Sequence, residues 1–81
     1  MELINVNIYI QTLLVEKLNF TNEGLKSNEE LIRFGHESLR EDFLKLIIDI
    51  KNKVDAKGIE NPSGYFITTL KNQLKTKGFL K

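Results

Sequence analysis

One stretch of the chain restricts the fold more than any other, the run from Ser38 to Gly58. Between Phe43 and Ile50 this run is apolar on most sides when it is wound into a helix. Its main stripe consists of Leu39, Phe43, Ile47, Ile50 and Val54, and the stripe is widened by Leu44, Leu46 and Ile48. Such a helix needs neighbours on several faces, so the sequence predicts a long central helix covered by other helices. Any apolar surface that small neighbours leave uncovered would be a face for self-association.

Capping signals predict where the helices begin and end. Two Ser-x-x-Glu patterns, Ser27 to Glu30 and Ser38 to Glu41, are typical of capping boxes. They predict the starts of a short helix and of the central helix. Glycine is common in the left-handed conformation just past a helix. Gly35 and Gly58 are therefore the predicted ends of these two helices.

The first segment carries two periodicities. Val6, Ile8 and Ile10 alternate with polar residues as in a strand, but a longer set of apolar residues has helical spacing. This longer set is Val6, Ile10, Leu13, Leu14 and Leu18. Because no second strand-like segment is present to pair with it, we expect a helix capped by Asn5. Residues 19–26 are rich in turn formers and are predicted to form a loop.

The length and composition indicate one domain spanning residues 1–81. Hydrophobic residues make up 41% and charged residues 28% of the sequence, as in ordinary globular proteins. There is no cysteine, which excludes disulfides and thiolate metal sites and is typical of a reducing cytoplasm. No apolar run has the length of a membrane span. We therefore expect a cytoplasmic, all-α protein, a compact bundle of about four helices.

The last helix has the clearest start in the sequence. Asn61 is a favourable cap, and Pro62 suits the first helical position because its missing N–H would have no partner there. The apolar stripe of this helix is Phe66, Ile67, Leu70 and Leu74. Gly64, near the start, is less favourable than alanine by about 1 kcal/mol. We expect close packing against another helix to explain it, rather than the approach of a phosphate or a partner backbone.

A polar surface on the same helix supplies the candidate contact residues. They are Tyr65, Thr69, Lys71, Asn72, Lys75 and Lys77. The lysines can complement the negative end of the helix dipole or meet an anionic partner. Tyr65 can be a half-buried ring with a solvated hydroxyl or a contact for nucleic acid or protein. Both interpretations are open from spacing alone.

Residues that would indicate catalysis are scarce. His36 is the only histidine, so no zinc site can be recognised. The acidic pairs Glu29-Glu30 and Glu41-Asp42 fall in first helical turns, where negative charge stabilises the helix dipole. We therefore expect a protein that is not an enzyme, with no metal and no cofactor.

The run from Gly58 to Phe66, followed by Leu70-Lys71-Asn72, resembles the final helix of the DnaD-like domain. This domain occurs in replication-restart proteins and in the C-terminal domain of Gram-positive plasmid and phage replication initiators. The family pattern has an Asn-Pro start, then Tyr-Ile, then Ile-Leu-x-Asn-Trp. Tyr65, Leu70 and Asn72 match this pattern, while Phe66, Thr69 and Gln73 stand where Ile, Ile and Trp are usual.

The resemblance implies a non-enzymatic module of a DNA-replication initiation protein. Such a module would recruit the replicative helicase or primase and make weak, non-specific contact with DNA. Family domains usually follow a winged-helix domain, so the resemblance also implies that this chain is the C-terminal domain of a larger protein. The alternative is a small helical protein–protein interaction or oligomerisation module that is unrelated to DNA.

Overall fold

The structure, a computed structural model, describes residues 6–80 and contains five α-helices in that range. The helices are α1 (Ile8–Leu18), α2 (Asn22–Ser27), α3 (Glu29–Leu39), α4 (Glu41–Lys57) and α5 (Pro62–Thr76). The predicted all-α class is confirmed, and residues 6–80 contain no strand. The bundle has one helix more than expected, because α2 begins within the predicted loop at residues 19–26.

Helix α4 is central, as its apolar sequence predicts. It packs against α1, α3 and α5, and its side chains Phe43, Leu46, Ile47 and Ile50 are buried. Gly58 ends the helix in the left-handed conformation at φ 66°, and its N–H donates to the Val54 carbonyl over 2.9 Å. The predicted end of the central helix is therefore confirmed.

A row of aromatic rings crosses the core. Phe43 lies edge-to-face with Phe66 at a centroid distance of 5.5 Å, and Phe66 lies edge-to-face with Phe20 at 6.0 Å. The His36 ring also packs against Phe43, at a centroid distance of 5.5 Å. Because these rings come from α3, α4, α5 and the α1–α2 connection, the row joins four parts of the chain.

The start of α1 differs from the prediction. The expected cap, Asn5, lies outside the described residues, and the cap in the structure is Asn7. Its Oδ1 accepts hydrogen bonds from the N–H groups of Tyr9 at 2.8 Å and Ile10 at 3.4 Å. Val6 thus precedes the helix, and its carbonyl accepts a hydrogen bond from the buried Gln11 side chain at 2.9 Å.

The short helix α2 was not predicted. Thr21 caps it, since Thr21 Oγ1 accepts from the Gly24 N–H at 2.9 Å. Leu25 and the preceding Phe20 are both buried in the core. The polar residues that suggested a loop face solvent, and two apolar anchors are enough to hold a helix of less than two turns against the bundle.

Helix α3 begins and ends at other residues than predicted. Ser27 is the last residue of α2, and α3 follows Asn28 directly, so Ser27 is not a cap. Gly35 does not end the helix but lies buried within it. A Cβ added there would come within 2.8 Å of Leu70 Cδ1 and 3.3 Å of Phe43 Cε2. Glycine at this position permits the close approach of α3 to α4 and α5.

A single residue, Arg40, joins α3 to α4. The predicted cap Ser38 lies inside α3, and α4 begins after Arg40 without a side-chain cap. The Arg40 N–H donates to the His36 carbonyl at 2.9 Å, and its carbonyl accepts from the Phe43 N–H at 3.0 Å. This turn requires φ 52° and ψ −116° at Arg40, a conformation that favours glycine.

Candidate partner-binding surface

The start of α5 is built as the Asn-Pro pattern predicts. Asn61 Oδ1 accepts hydrogen bonds from the Gly64 N–H and from the Ser63 hydroxyl, each at 3.2 Å. Its carbonyl accepts the Tyr65 N–H at 3.0 Å, which is the first bond of the helix. Pro62 is buried at the first helical position. The side chain and the carbonyl of Asn61 therefore both fix the orientation of the first turn.

The explanation of Gly64 differs from the expected packing against another helix. A Cβ added at Gly64 would lie 3.0 Å from Asn61 Cγ and closer still to the Asn61 amide nitrogen. The cap's own side chain thus occupies the space beside the glycine. Gly64 lets Asn61 fold back over the first turn, and the two residues form one capping unit.

A polar stripe runs along α5 from this start, consisting of Tyr65, Thr69, Asn72 and Thr76, and we name it the α5 stripe. Tyr65 is 39% exposed. The Thr69 hydroxyl donates to the Tyr65 carbonyl at 2.9 Å, which turns this hydroxyl toward the helix backbone. Asn72 and Thr76 are exposed. The stripe therefore offers an aromatic ring and an amide to solvent.

A groove of about 500 Å³ separates part of the α5 stripe from α4. Its lining from α5 is Thr69, Asn72, Gln73 and Thr76, followed by Lys77 just after the helix, and from α4 it is Asp42, Lys45, Leu46 and Asp49. Two carboxylates and two ammonium groups share this lining. Sequence reasoning did not associate the α4 residues with the surface, because only the tertiary packing brings the two helices together.

Lys77 is held by an ion pair across this groove. Its Nζ lies 2.8 Å from Asp42 Oδ2, and both side chains are partly exposed. The hydrogen bond and the positive charge of Lys77, with a further contribution from Lys45, lower the pKa of Asp42 below its ordinary value. The ammonium group of Lys77 is thus already matched by a carboxylate.

The other two candidate lysines lie elsewhere. Lys71 lines a different groove, of about 520 Å³, together with residues 26–31 at the junction of α2 and α3. Lys75 is exposed near the end of α5. Within residues 6–80, neither lysine forms an ion pair. The six candidate residues therefore divide between the α4–α5 groove, the Lys71 groove and open solvent.

No group of three or more His, Asp or Glu side chains that could hold a metal ion occurs in residues 6–80. His36 is half-buried and contributes its ring to the aromatic row. None of the helices within the same range has the length and hydrophobicity needed to cross a membrane.

Comparisons with protein-family models, with curated proteins and with solved structures found no match. The family suggested by the residues of α5 is therefore a hypothesis that rests on those residues alone.

Proposed function

We propose that this chain is a non-enzymatic module of a DNA-replication initiation protein and binds a replicative helicase or primase through the α5 stripe. The observation that carries the proposal is the placement of Tyr65. Tyr65 is 39% exposed and ends a first turn that Asn61 and Pro62 hold in place. An exposed aromatic side chain on a backbone turn that is held by a cap is the kind of residue that anchors protein interfaces.

The charges beside the stripe favour a protein partner over DNA at this surface. Asp42 and Asp49 line the α4–α5 groove together with Lys45 and Lys77. Carboxylates repel phosphates, whereas a protein can present both signs of charge to such a lining. Of the three candidate lysines, Lys71 and Lys75 remain for contact with DNA. Because two lysines can neutralise few phosphates, we expect this contact to be weak.

Titration calorimetry with the purified helicase and primase of the source cell tests the protein partner. Tyr65→Ala combined with Asn72→Ala is expected to weaken binding at least about tenfold, as the loss of an interface anchor does. Phe34→Ala is the matched control, because Phe34 is an aromatic residue of similar exposure, 38%, on α3. The proposal is wrong if neither protein binds the wild-type chain, or if the double variant binds as tightly.

Salt dependence tests the DNA contact separately. Two lysines that neutralise two phosphates give a slope of roughly −2 for log K against log salt concentration on duplex DNA. Lys71→Gln with Lys75→Gln should abolish this binding while leaving the protein partner bound. Lys77→Gln with Asp42→Asn should change it little, because the two charges of this ion pair already cancel.

A second candidate function is a helical interaction or oligomerisation module that is unrelated to DNA. The observation in its favour is the large exposure of Ile48, at 59%, on the central helix. Under this alternative, the Tyr65 and Asn72 variants leave every interaction of the chain unchanged.

A further inference from the structure

An apolar groove of about 430 Å³ lies between α1 and α4, and we name it the α1–α4 groove. Its walls include Leu13 and Leu44, which are half-buried, and its edges carry Tyr9 and Ile48. Tyr9 is 61% and Ile48 59% exposed. Ile8, the neighbour of Tyr9, is 52% exposed. Tyr9 and Ile48 thus project beside an apolar depression between α1 and α4.

We propose that the α1–α4 groove is the surface at which a second copy of this chain binds. The surface is separate from the α5 stripe, and the inference holds whether or not the chain acts in replication. It also locates the uncovered apolar surface that the sequence of α4 predicts.

The shape of the face suits pairing with itself. In a two-fold symmetric dimer, the same patch of both subunits meets, so a projection on one copy must find a depression on the other. The α1–α4 groove supplies the depression, and Tyr9 and Ile48 supply the projections beside it. A single face therefore contains both halves of the contact.

The charges at the rim favour a second copy over a partner of one charge. On α1, Tyr9 is followed two turns later by Glu16, with Lys17 next to it. On α4, Ile48 is followed two turns later by Asp55, which forms an ion pair with Lys51 at 2.9 Å. Of these four side chains, Lys17 and Lys51 line the groove itself. Glu16 is the sequence neighbour of Lys17 and Asp55 pairs with Lys51, so the four charges together give the rim no net charge. A nucleic acid or a uniformly charged peptide would meet repulsion from half of it, whereas a second copy offers each charge an opposite one.

The size of the patch sets the strength of the expected association. Exposed apolar patches of a few hundred Å² are at the scale of functional patches on monomers. A standard stable interface involves roughly 20–30 residues on each side. Eight of the described residues line this groove, so it can form the centre of an interface but little more. The dimer should consequently be weak, with a dissociation constant in the micromolar to millimolar range.

Sedimentation equilibrium of the full chain at concentrations from about 10 µM to 1 mM tests the inference. The mass should rise with concentration from 9.4 kDa toward twice that value. Ile48→Asp and, independently, Tyr9→Ser should raise the dissociation constant at least about 30-fold, as the loss of a central contact does. Phe34→Asp is the control, since it places the same new charge at an exposed apolar position outside the groove. Circular dichroism verifies that each variant is folded.

Rim charges provide a second test that is independent of the apolar contacts. Lys17→Glu with Lys51→Glu makes the rim entirely acidic, and Glu16→Lys with Asp55→Lys makes it entirely basic. Each variant alone should be monomeric, and an equimolar mixture should form a heterodimer at least as well as the wild type forms its dimer.

Three results would overturn the inference. The first is a wild-type chain that stays at 9.4 kDa at 1 mM. The second is association that Ile48→Asp and Tyr9→Ser leave unchanged, which would assign the dimer to another surface. The third is a pair of charge-reversed variants that each self-associate as tightly as the wild type, which would show that the rim charges do not meet in the dimer. Binding of helicase or primase is measured separately, so neither proposal depends on the result of the other.

Discussion

Lys77 Nζ lies 2.8 Å from Asp42 Oδ2, and this ion pair ties the residue after α5 to the first turn of α4 across 35 positions of sequence. Lys77 lowers the pKa of Asp42 in the folded state, first through the hydrogen bond and then through its charge. The ordinary pKa of the group is 3.8. Because the folded value is the lower one, the stabilisation is present above about pH 4 and is lost as the pH falls through the folded pKa.

We therefore expect Lys77→Gln to lower the free energy of unfolding at pH 7 by a small amount. The difference from the wild type should narrow as the pH is lowered below about 4, and it should shrink in high salt because both groups are exposed. Urea denaturation at pH 7 and at low pH measures both free energies. Lys75→Gln is the control, since Lys75 forms no ion pair within residues 6–80. An equal difference at both pH values would contradict the prediction.

The centre of α4 should be highly sensitive to truncation. Phe43→Ala and Ile47→Ala each remove a buried side chain and should lower the free energy of unfolding by about 2–5 kcal/mol. Ile48→Ala, one position further along and exposed, should change it by less than about 0.5 kcal/mol. Urea denaturation of the three variants checks the pattern. A similar cost at Ile47 and Ile48 would mean that α4 is not oriented as described.

The buried glycine of α3 should resist substitution by a better helix former. Gly35→Ala gains about 1 kcal/mol of helix propensity, but the added methyl group collides with the buried Leu70 side chain. We expect a net loss of about 1–3 kcal/mol in the free energy of unfolding, as for other overpacked cores. In a Leu70→Ala background, the same change should be neutral or stabilising. A double-mutant cycle in urea measures this coupling, and additive effects would contradict the packing argument.

The junction between α3 and α4 offers a stabilising change. Arg40 has φ 52° and ψ −116°, where only glycine avoids steric strain. Arg40→Gly should raise the free energy of unfolding by about 1 kcal/mol. Arg40→Ala keeps a Cβ and should give no gain, so the pair separates backbone strain from loss of the guanidinium. A destabilised glycine variant would show that the Arg40 side chain contributes more than the strain costs.

Local signals in the sequence were good guides where the stabilising groups lie within a few residues of one another. Gly58 and the Asn61-Pro62 start are correct because each satisfies backbone groups of its own helix end. Ser27 and Ser38 were wrong as caps, because each lies inside the preceding helix. Only one residue separates that helix from the next one. Gly35 was wrong as a helix end, because its role is to admit Leu70 from another helix.

The surfaces depend on packing that local patterns do not encode. The α5 stripe follows from helical periodicity, but the acids that face it come from α4. The excess apolar surface of α4 was anticipated, but its position was not. That position depends on which side of α4 packs against α1. The packing leaves Ile48 exposed beside Tyr9.

The chain contains two tyrosines and no tryptophan, and each tyrosine stands on one of the two proposed surfaces. Its intrinsic emission is therefore divided between Tyr9 on the α1–α4 groove and Tyr65 on the α5 stripe. Tyr9→Phe leaves a single fluorophore at the α5 stripe, and Tyr65→Phe leaves one at the α1–α4 groove. Anisotropy or quenching of these variants reports the occupancy of each surface without an attached label.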